Sequence, residues 1–279
     1  MNNLEFSLLL LALSYGAGLL GSLTGLGGGV VLVPTLVLLF GVDIHYAMGA
    51  SLISVIATSS GAAAAFLREG YTNLRIGMFL EVAAVVGALV GALLAAALNA
   101  HVIAVIFGVV LLFSAYLSFR RREEAEPDRS SHPWAVRLRL EGSYQTPGKP
   151  PRAYRVQNVP AGAALMALAG ALSGMLGIGA GAVKVLAMDE AMRLPYKVST
   201  ATSNFVIGIT AAASAGIYLT RGYVDPGLTM PVMLGVLAGA RSGARIMAGA
   251  KSQRLRIVFS IVILALAVEM IYEGLTGGL

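Results

Sequence analysis

Gly25-Leu26-Gly27-Gly28-Gly29 and Gly177-Ile178-Gly179-Ala180-Gly181 are the two stretches whose reading decides how this chain folds. Each glycine cluster interrupts an apolar region, residues 5–41 and 160–194, and divides it into two short arms around a flexible turn. The clusters lie 152 residues apart. At that offset Gly25, Gly27 and Gly29 fall on Gly177, Gly179 and Gly181, Ser51 falls on Ser203, and Thr58 falls on Thr210. Gly70-Tyr71 falls on Gly222-Tyr223, Gly87 and Gly91 on Gly239 and Gly243, and Phe107 on Phe259. No gap is needed from Ala12 to Ala115. About a quarter of the positions are identical, against about a tenth from composition alone, and self-similarity at a fixed period marks a repeat.

Outward from the clusters, apolar segments follow one another at roughly 46–67, 76–98, 102–119, 198–219, 228–248 and 257–275. Each is about 20 residues long, enough to cross the hydrocarbon core of a bilayer as a helix. Composition agrees. Of 279 residues, 57% are hydrophobic and 12% charged, and mean hydropathy is +0.79. A soluble domain carries roughly 25% charged residues, so this chain lacks the charge to coat a water-facing surface. The expected fold class is an all-α integral membrane protein built from two inverted-topology repeats with glycine-broken re-entrant helices. The expected organisation is a first transmembrane repeat over 1–120, a basic loop over 121–158 and a second transmembrane repeat over 159–279.

Charge sets the expected orientation. The net charge is +6, and nine Arg and Lys residues fall between 120 and 157. Basic loops stay on the cytoplasmic side of a membrane, which reads this one as cytoplasmic and not as a nucleic-acid surface. The termini carry no basic residue near their helices, so both are expected outside, on a multi-pass inner-membrane protein. Half one then begins outside and ends inside, and half two does the reverse. Arg68, Arg75, Arg193, Lys197, Lys251, Arg254 and Arg256 fall inside, and Arg221 falls outside beside Asp225. Two counts of spans fit this parity: six full spans plus two hairpins, or up to ten spans. Met1–Phe6 has no basic residue before the first apolar run, so it is not read as a cleavable signal peptide. Within the basic loop, Val136-Arg137-Leu138-Arg139-Leu140 alternates as a strand does and Tyr154-Arg155-Val156 can pair with it. A small β-hairpin and a disordered linker are both open.

The glycine clusters are also the first candidate site. A broken helix leaves backbone groups without partners, which lipid does not tolerate unless they face protein or a water-filled cavity. Matching breaks in two inverted halves point to the substrate site of a secondary transporter. The second arm of each break starts at the glycines, so its amide end and positive dipole face the break, a favourable place for an anion. Gly25, Gly27, Gly28, Gly29, Gly177, Gly179 and Gly181 are therefore candidate substrate-binding residues, against the reading that they only allow close helix packing. Ser51, Ser203 and Asn204 are expected to face the same cavity. Lys184, three residues past the second cluster, is a costly charge in an apolar segment. It is read either as a substrate or proton site, or as a side chain snorkelling to the cytoplasmic face. Arg241 is a further substrate-binding candidate, one turn before Arg245. Glu81 and Glu269 are acidic residues in or near spans that can relay a proton.

Other chemistry finds no support in the sequence. There is no cysteine, and His45, His101 and His132 have no metal-ligand spacing. Neither a catalytic triad nor a nucleotide loop is present, since no Gly-Lys-Ser/Thr follows Gly29. No cofactor, metal or nucleic acid is expected. The expected partners are a small anion and the lipid bilayer, with a homodimer left open.

Gly25-Leu26-Gly27-Gly28-Gly29 with Pro34, its echo Gly177-Ile178-Gly179-Ala180-Gly181, and Ala201-Thr202-Ser203-Asn204 resemble the sulfite exporter TauE/SafE family over about 5–275. The resemblance implies a two-repeat inner-membrane permease that exports sulfite, an organosulfonate or a related sulfur oxyanion. Substrates vary within that family, so a permease for another small anion such as a carboxylate, or an anion channel, is the alternative. The basic insert at 120–157 is longer than the family pattern suggests.

Overall fold

The computed structural model describes residues 3–24, 28–68, 71–119, 131–144, 152–247 and 252–277. The first half carries α1 (Asn3–Thr24), α2 (Gly29–Phe40), α3 (Ile44–Arg68), α4 (Leu74–Ala95) and α5 (Ala100–Phe119). The second carries α7 (Val159–Leu176), α8 (Gly181–Leu186, continued by a π-helical turn over Ala187–Ala191), α9 (Tyr196–Thr220), α10 (Pro226–Met247) and α11 (Ser252–Thr276). Between them lie the short α6 (Pro133–Arg137) and strands β1 (Gly142–Tyr144) and β2 (Arg152–Tyr154).

Helix boundaries repeat with the sequence. Adding 152 to the limits of α3 and α4 returns the limits of α9 and α10, and the first residues of α2 and α5 return those of α8 and α11. Local signals repeat too. The side chain of Asn73 accepts from the Ile76 amide at 3.1 Å and starts α4. Asp225, its mate, accepts from the Leu228 amide at 2.9 Å and starts α10. Such caps satisfy one of the orphan amides of a first turn.

The halves interlock. Gly87 and Gly91 of α4 press on Ala167 and Ala171 of α7, while Gly170 and Gly174 press back on Ala84 and Ala88, so α4 and α7 run parallel. Gly235 and Gly239 of α10 meet Leu11 and Tyr15 of α1 in the same parallel sense. A Cβ on Gly91 would stand 2.0 Å from the Ala171 carbonyl oxygen, so nothing larger than hydrogen fits there. Repeat mates face one another the other way. Along α3 and α9, Gly49 meets Tyr223 just past the end of α9, and Ser59 meets Gly208. In α5 and α11, Gly108 meets Ala267 and Gly274 meets His101. Both mate pairs are therefore antiparallel. Two four-helix groups result: α1, α2 and α3 with α10, and α7, α8 and α9 with α4, joined along α3 and α9.

The chain is an all-α multi-pass membrane protein. Leu74–Ala95, Val159–Leu176 and Tyr196–Thr220 are each long and apolar enough to cross a bilayer. On α4 the small residues Gly77, Ala84, Gly87, Ala88 and Gly91 are buried, and Met78, Val82, Val86, Leu93 and Leu94 are exposed. Small side chains inside and large apolar ones outside is the pattern of a helix packed in lipid. The segment α2 has 12 residues. At 1.5 Å per residue it spans about 18 Å, short of the ~30 Å core.

In the basic segment the strands differ from the expected ones. Val136-Arg137-Leu138-Arg139-Leu140 is not a strand. Pro133 occupies the first turn of α6, and the His132 ring accepts from the Trp134 amide at 3.2 Å, so a helix begins where alternation suggested extension. The hairpin instead pairs Gly142 with Tyr154 and Tyr144 with Arg152. It docks on the membrane helices through Asn73, whose side-chain amide donates to Tyr154 Oη at 2.7 Å and to the Leu140 carbonyl at 3.0 Å.

Candidate functional site

The two glycine breaks meet. Gly28 and Gly29 are buried, and a Cβ on Gly29 would stand 3.2 Å from the Cα of Ile178. Gly25 and Gly27 lie outside the described residues. Gly177 and Gly179 take φ of +68° and +74°, a left-handed region that side chains oppose, and Ala180 follows at +43°. That kink ends α7 and turns the chain into α8 from Gly181. Beyond it, the Ala180 carbonyl already accepts from the Val183 and Lys184 amides, as the Gly28 carbonyl accepts from Val31 and Leu32. The first amides of α2 and α8 therefore lie at the junction, where no intrahelical acceptor exists for them.

Ser51 and Ser203 both reach the second break. The Ser51 hydroxyl donates to the Gly177 carbonyl at 2.7 Å, and that of Ser203 to the Gly181 carbonyl at 3.5 Å. Both serines are buried. Val55 and Ile207 press on Gly179, and Met48 on Gly177, so the junction is packed shut in this conformation. Asn204 bonds within its own helix. It is half-buried and its side-chain amide donates to the Thr200 carbonyl of its own helix at 3.0 Å, the local bond that polar residues often make mid-helix. Arg241 also lies elsewhere: it is exposed. Gly239 faces α1, and two residues further on the helix has turned by about 200°.

Lys184 does not snorkel. It is wholly buried and donates to Thr210 Oγ1, which in turn donates to Glu81 Oε1 at 2.6 Å. Three elements thus converge: α8 brings Lys184, α9 brings Thr210 and α4 brings Glu81. The other carboxylate oxygen, Glu81 Oε2, is buried without a partner. At the matching place in the first group stand Leu32, Thr58 and Met233, each 152 residues from its counterpart, so the charged cluster occurs on one side of the repeat alone. The sequence singled out both charges but not their union. The signal was available in principle, because two opposite charges in apolar segments each need a partner.

Both ends of the α3–α9 seam carry a basic residue against a tyrosine of the other half. His45 stacks on Tyr223 at 5.0 Å between ring centroids. Lys197 Nζ lies 5.8 Å from the Tyr71 ring centroid. Lys197 is the repeat mate of His45 and Tyr223 that of Tyr71. At the first end, a crevice is lined by His45, Ala96, Ile217, Tyr218, Arg221 and Tyr223.

Known proteins resemble this chain in sequence. The family model described as "Sulfite exporter TauE/SafE" matches residues 10–270. The chain belongs to the sulfite exporter TauE/SafE family. It is 28% identical to the probable membrane transporter protein YunE of Bacillus subtilis (strain 168) over 274 residues, covering 96% of this chain and 98% of that one. The probable membrane transporter protein YdhB of the same organism is also 28% identical, over 85% of this chain and 89% of its own. A probable membrane transporter protein of Xylella fastidiosa (strain 9a5c) is 24% identical over 93% and 91%. No solved structure matches the chain significantly. Membership and likeness together make the protein a membrane transporter.

Proposed function

We propose that this TauE/SafE protein is an exporter of a small sulfur oxyanion, such as sulfite or an organosulfonate, working by alternating access. The observation that carries this reading is the contact of Gly29 with Ile178, which brings two helix breaks from different halves to one buried point. Amide ends of α2 and α8, with the hydroxyls of Ser51 and Ser203, can replace part of the water shell of an oxyanion there. Opening one side of the packed junction would admit the anion.

The antiparallel packing of α3 with α9 and α5 with α11 supports halves of inverted topology, with α1–α2 and α7–α8 as re-entrant or half-spanning pairs. The reading places the basic segment and the Lys197–Tyr71 end in the cytoplasm and the His45–Tyr223 end outside, in an inner membrane. The two aromatic–basic pairs then close opposite mouths of one pathway, and one half-group rocks against the other along the α3–α9 seam. A membrane potential negative inside favours anion exit by about 2.3 kcal/mol per charge per 100 mV.

Uptake of labelled sulfite into inside-out vesicles tests the reading. Vesicles containing the protein should accumulate sulfite faster than empty ones, and unlabelled methanesulfonate should compete. Equal rates with and without the protein, for sulfite and for sulfonates, would remove sulfur oxyanions from consideration.

A further inference from the structure

Lys184 stands one turn beyond the break, on the same short helix that begins at Gly181, yet in the closed conformation its ammonium points to Thr210 and Glu81. A lysine on its flexible four-carbon stem has two acceptors within reach: the Glu81–Thr210 pair on one side and an anion at the break on the other. It cannot serve both fully. If Lys184 turns to an anion, Glu81 is left with Oε1 on the Thr210 hydroxyl, Oε2 without a partner, and no counter-charge. An ionised carboxylate in that position is strongly disfavoured, and a proton is the simplest replacement for the lost cation.

We propose that Glu81 takes up a proton when Lys184 turns from it to a bound anion, so that the protein moves the anion and a proton together. On uptake the Glu81 O–H bond forms as one O–H bond of a hydronium ion breaks and leaves water; on release the Glu81 O–H bond breaks and the proton passes back to water. Anion and proton leave together when Lys184 returns to the carboxylate. This rests on the reading of the break as an anion site and adds the coupling ion to it; the membrane potential then acts only on the net charge of anion plus proton, which is zero for a sulfonate.

Among the described residues, Lys184 and Glu81 are the charges brought to this point through Thr210. Lys184 reaches the Glu81 carboxylate through the Thr210 hydroxyl. On α4 itself Arg75 is exposed and donates to the Arg139 carbonyl. The packed face of α7 has no titratable residue over Val159–Leu176. On α9, Lys197 is exposed over Tyr71, and Tyr218 donates to the Gly174 carbonyl. Asp189 and Glu190 of the π-turn are half-buried, while on α5 His101 is half-buried and Tyr116 exposed. The repeat-mate position carries Leu32 and Met233 instead, so the first group packs without this cluster. A purely structural part would not need to be charged.

Calorimetry on the purified full chain in detergent, titrated with methanesulfonate in two buffers of different protonation enthalpy, reads the proton directly. Methanesulfonate stays an anion throughout, so any proton taken up belongs to the protein. The wild type should take up about one proton per anion and bind about tenfold more tightly for each unit fall in pH. Glu81→Gln should still bind, with no proton taken up and an affinity flat with pH. The double variant Glu81→Met with Lys184→Leu copies the other half, so it tests the pair even if the single variant misfolds. It should take up no proton and bind at least tenfold more weakly. Wild-type binding without proton uptake, or uptake that persists in either variant, overturns the proposal while leaving the anion site standing. A wild type that binds neither methanesulfonate, sulfite nor sulfate overturns both.

Discussion

Ser51 and Gly177 belong to opposite halves of the chain, and the Ser51 hydroxyl donates to the Gly177 carbonyl at 2.7 Å. This bond ties α3 to the break between α7 and α8, at the point where the halves must separate if the junction is to open. Replacing Ser51 with alanine leaves a buried carbonyl without its donor, which costs about 1–3 kcal/mol. Ser51→Ala should lower the melting temperature of the purified protein and reduce sulfite transport. Unchanged stability would mean that water or a neighbour takes over the carbonyl.

Gly179 has φ of +74° and sits under Ile207 and Val55. A leucine there meets both a strained backbone and a filled space. Gly179→Leu should abolish transport, and Gly179→Ala should retain a small part of it, as measured with labelled sulfite in vesicles. Full activity in the leucine variant would remove the second break from the site.

The buried pair makes an unequal set of variants. Lys184→Met leaves Glu81 without its counter-charge and should destabilise by about 3–5 kcal/mol, whereas removing both charges should be near neutral. Thermal melts of Lys184→Met and of the Glu81→Met, Lys184→Leu double variant check this. A double variant as unstable as the single one would mean that the cluster is needed for packing.

Burial holds the Tyr154 phenol above its usual range, with the Asn73 amide opposing this in part. A raised value in the folded state means stability that is complete below the unfolded value of about 10 and is lost as pH rises through the folded one. Proteolysis of the hairpin should therefore accelerate at alkaline pH in the wild type, and Tyr154→Phe should flatten that dependence. An equally steep rise in the phenylalanine variant would assign it to another group.

If His45–Tyr223 and Lys197–Tyr71 close opposite mouths, Tyr223→Ala and Tyr71→Ala should act in opposite senses. Each should raise labelling of the junction by an impermeant reagent from its own side of the membrane. Identical labelling in the two variants would leave the tyrosines as surface packing alone.

The helices were legible because lipid requires long uninterrupted apolar runs, so the segment read as 46–67 became Ile44–Arg68 and that read as 198–219 became Tyr196–Thr220. The repeat was legible because it needs no gap. Between 136 and 140 five alternating residues could not outweigh Pro133 and the His132 cap, which begin a helix. The pairing of Lys184 with Glu81 through Thr210 was hidden for a different reason. It is a contact between elements far apart in the chain, and no local pattern encodes which buried charge finds which. Helical spacing of Arg241 to Arg245 fixes a shared face without saying which way that face turns.

The chain contains no cysteine, which opens the most direct test of an anion site at the junction. Ser51→Cys and Ser203→Cys, each made singly, place a small thiol beside the second break, closed to solvent in this conformation. Reaction with an impermeant thiol reagent should occur in transporting vesicles and should slow several-fold when methanesulfonate is present. Both thiols reacting at the same rate with and without the sulfonate, in vesicles that still transport, would contradict the account.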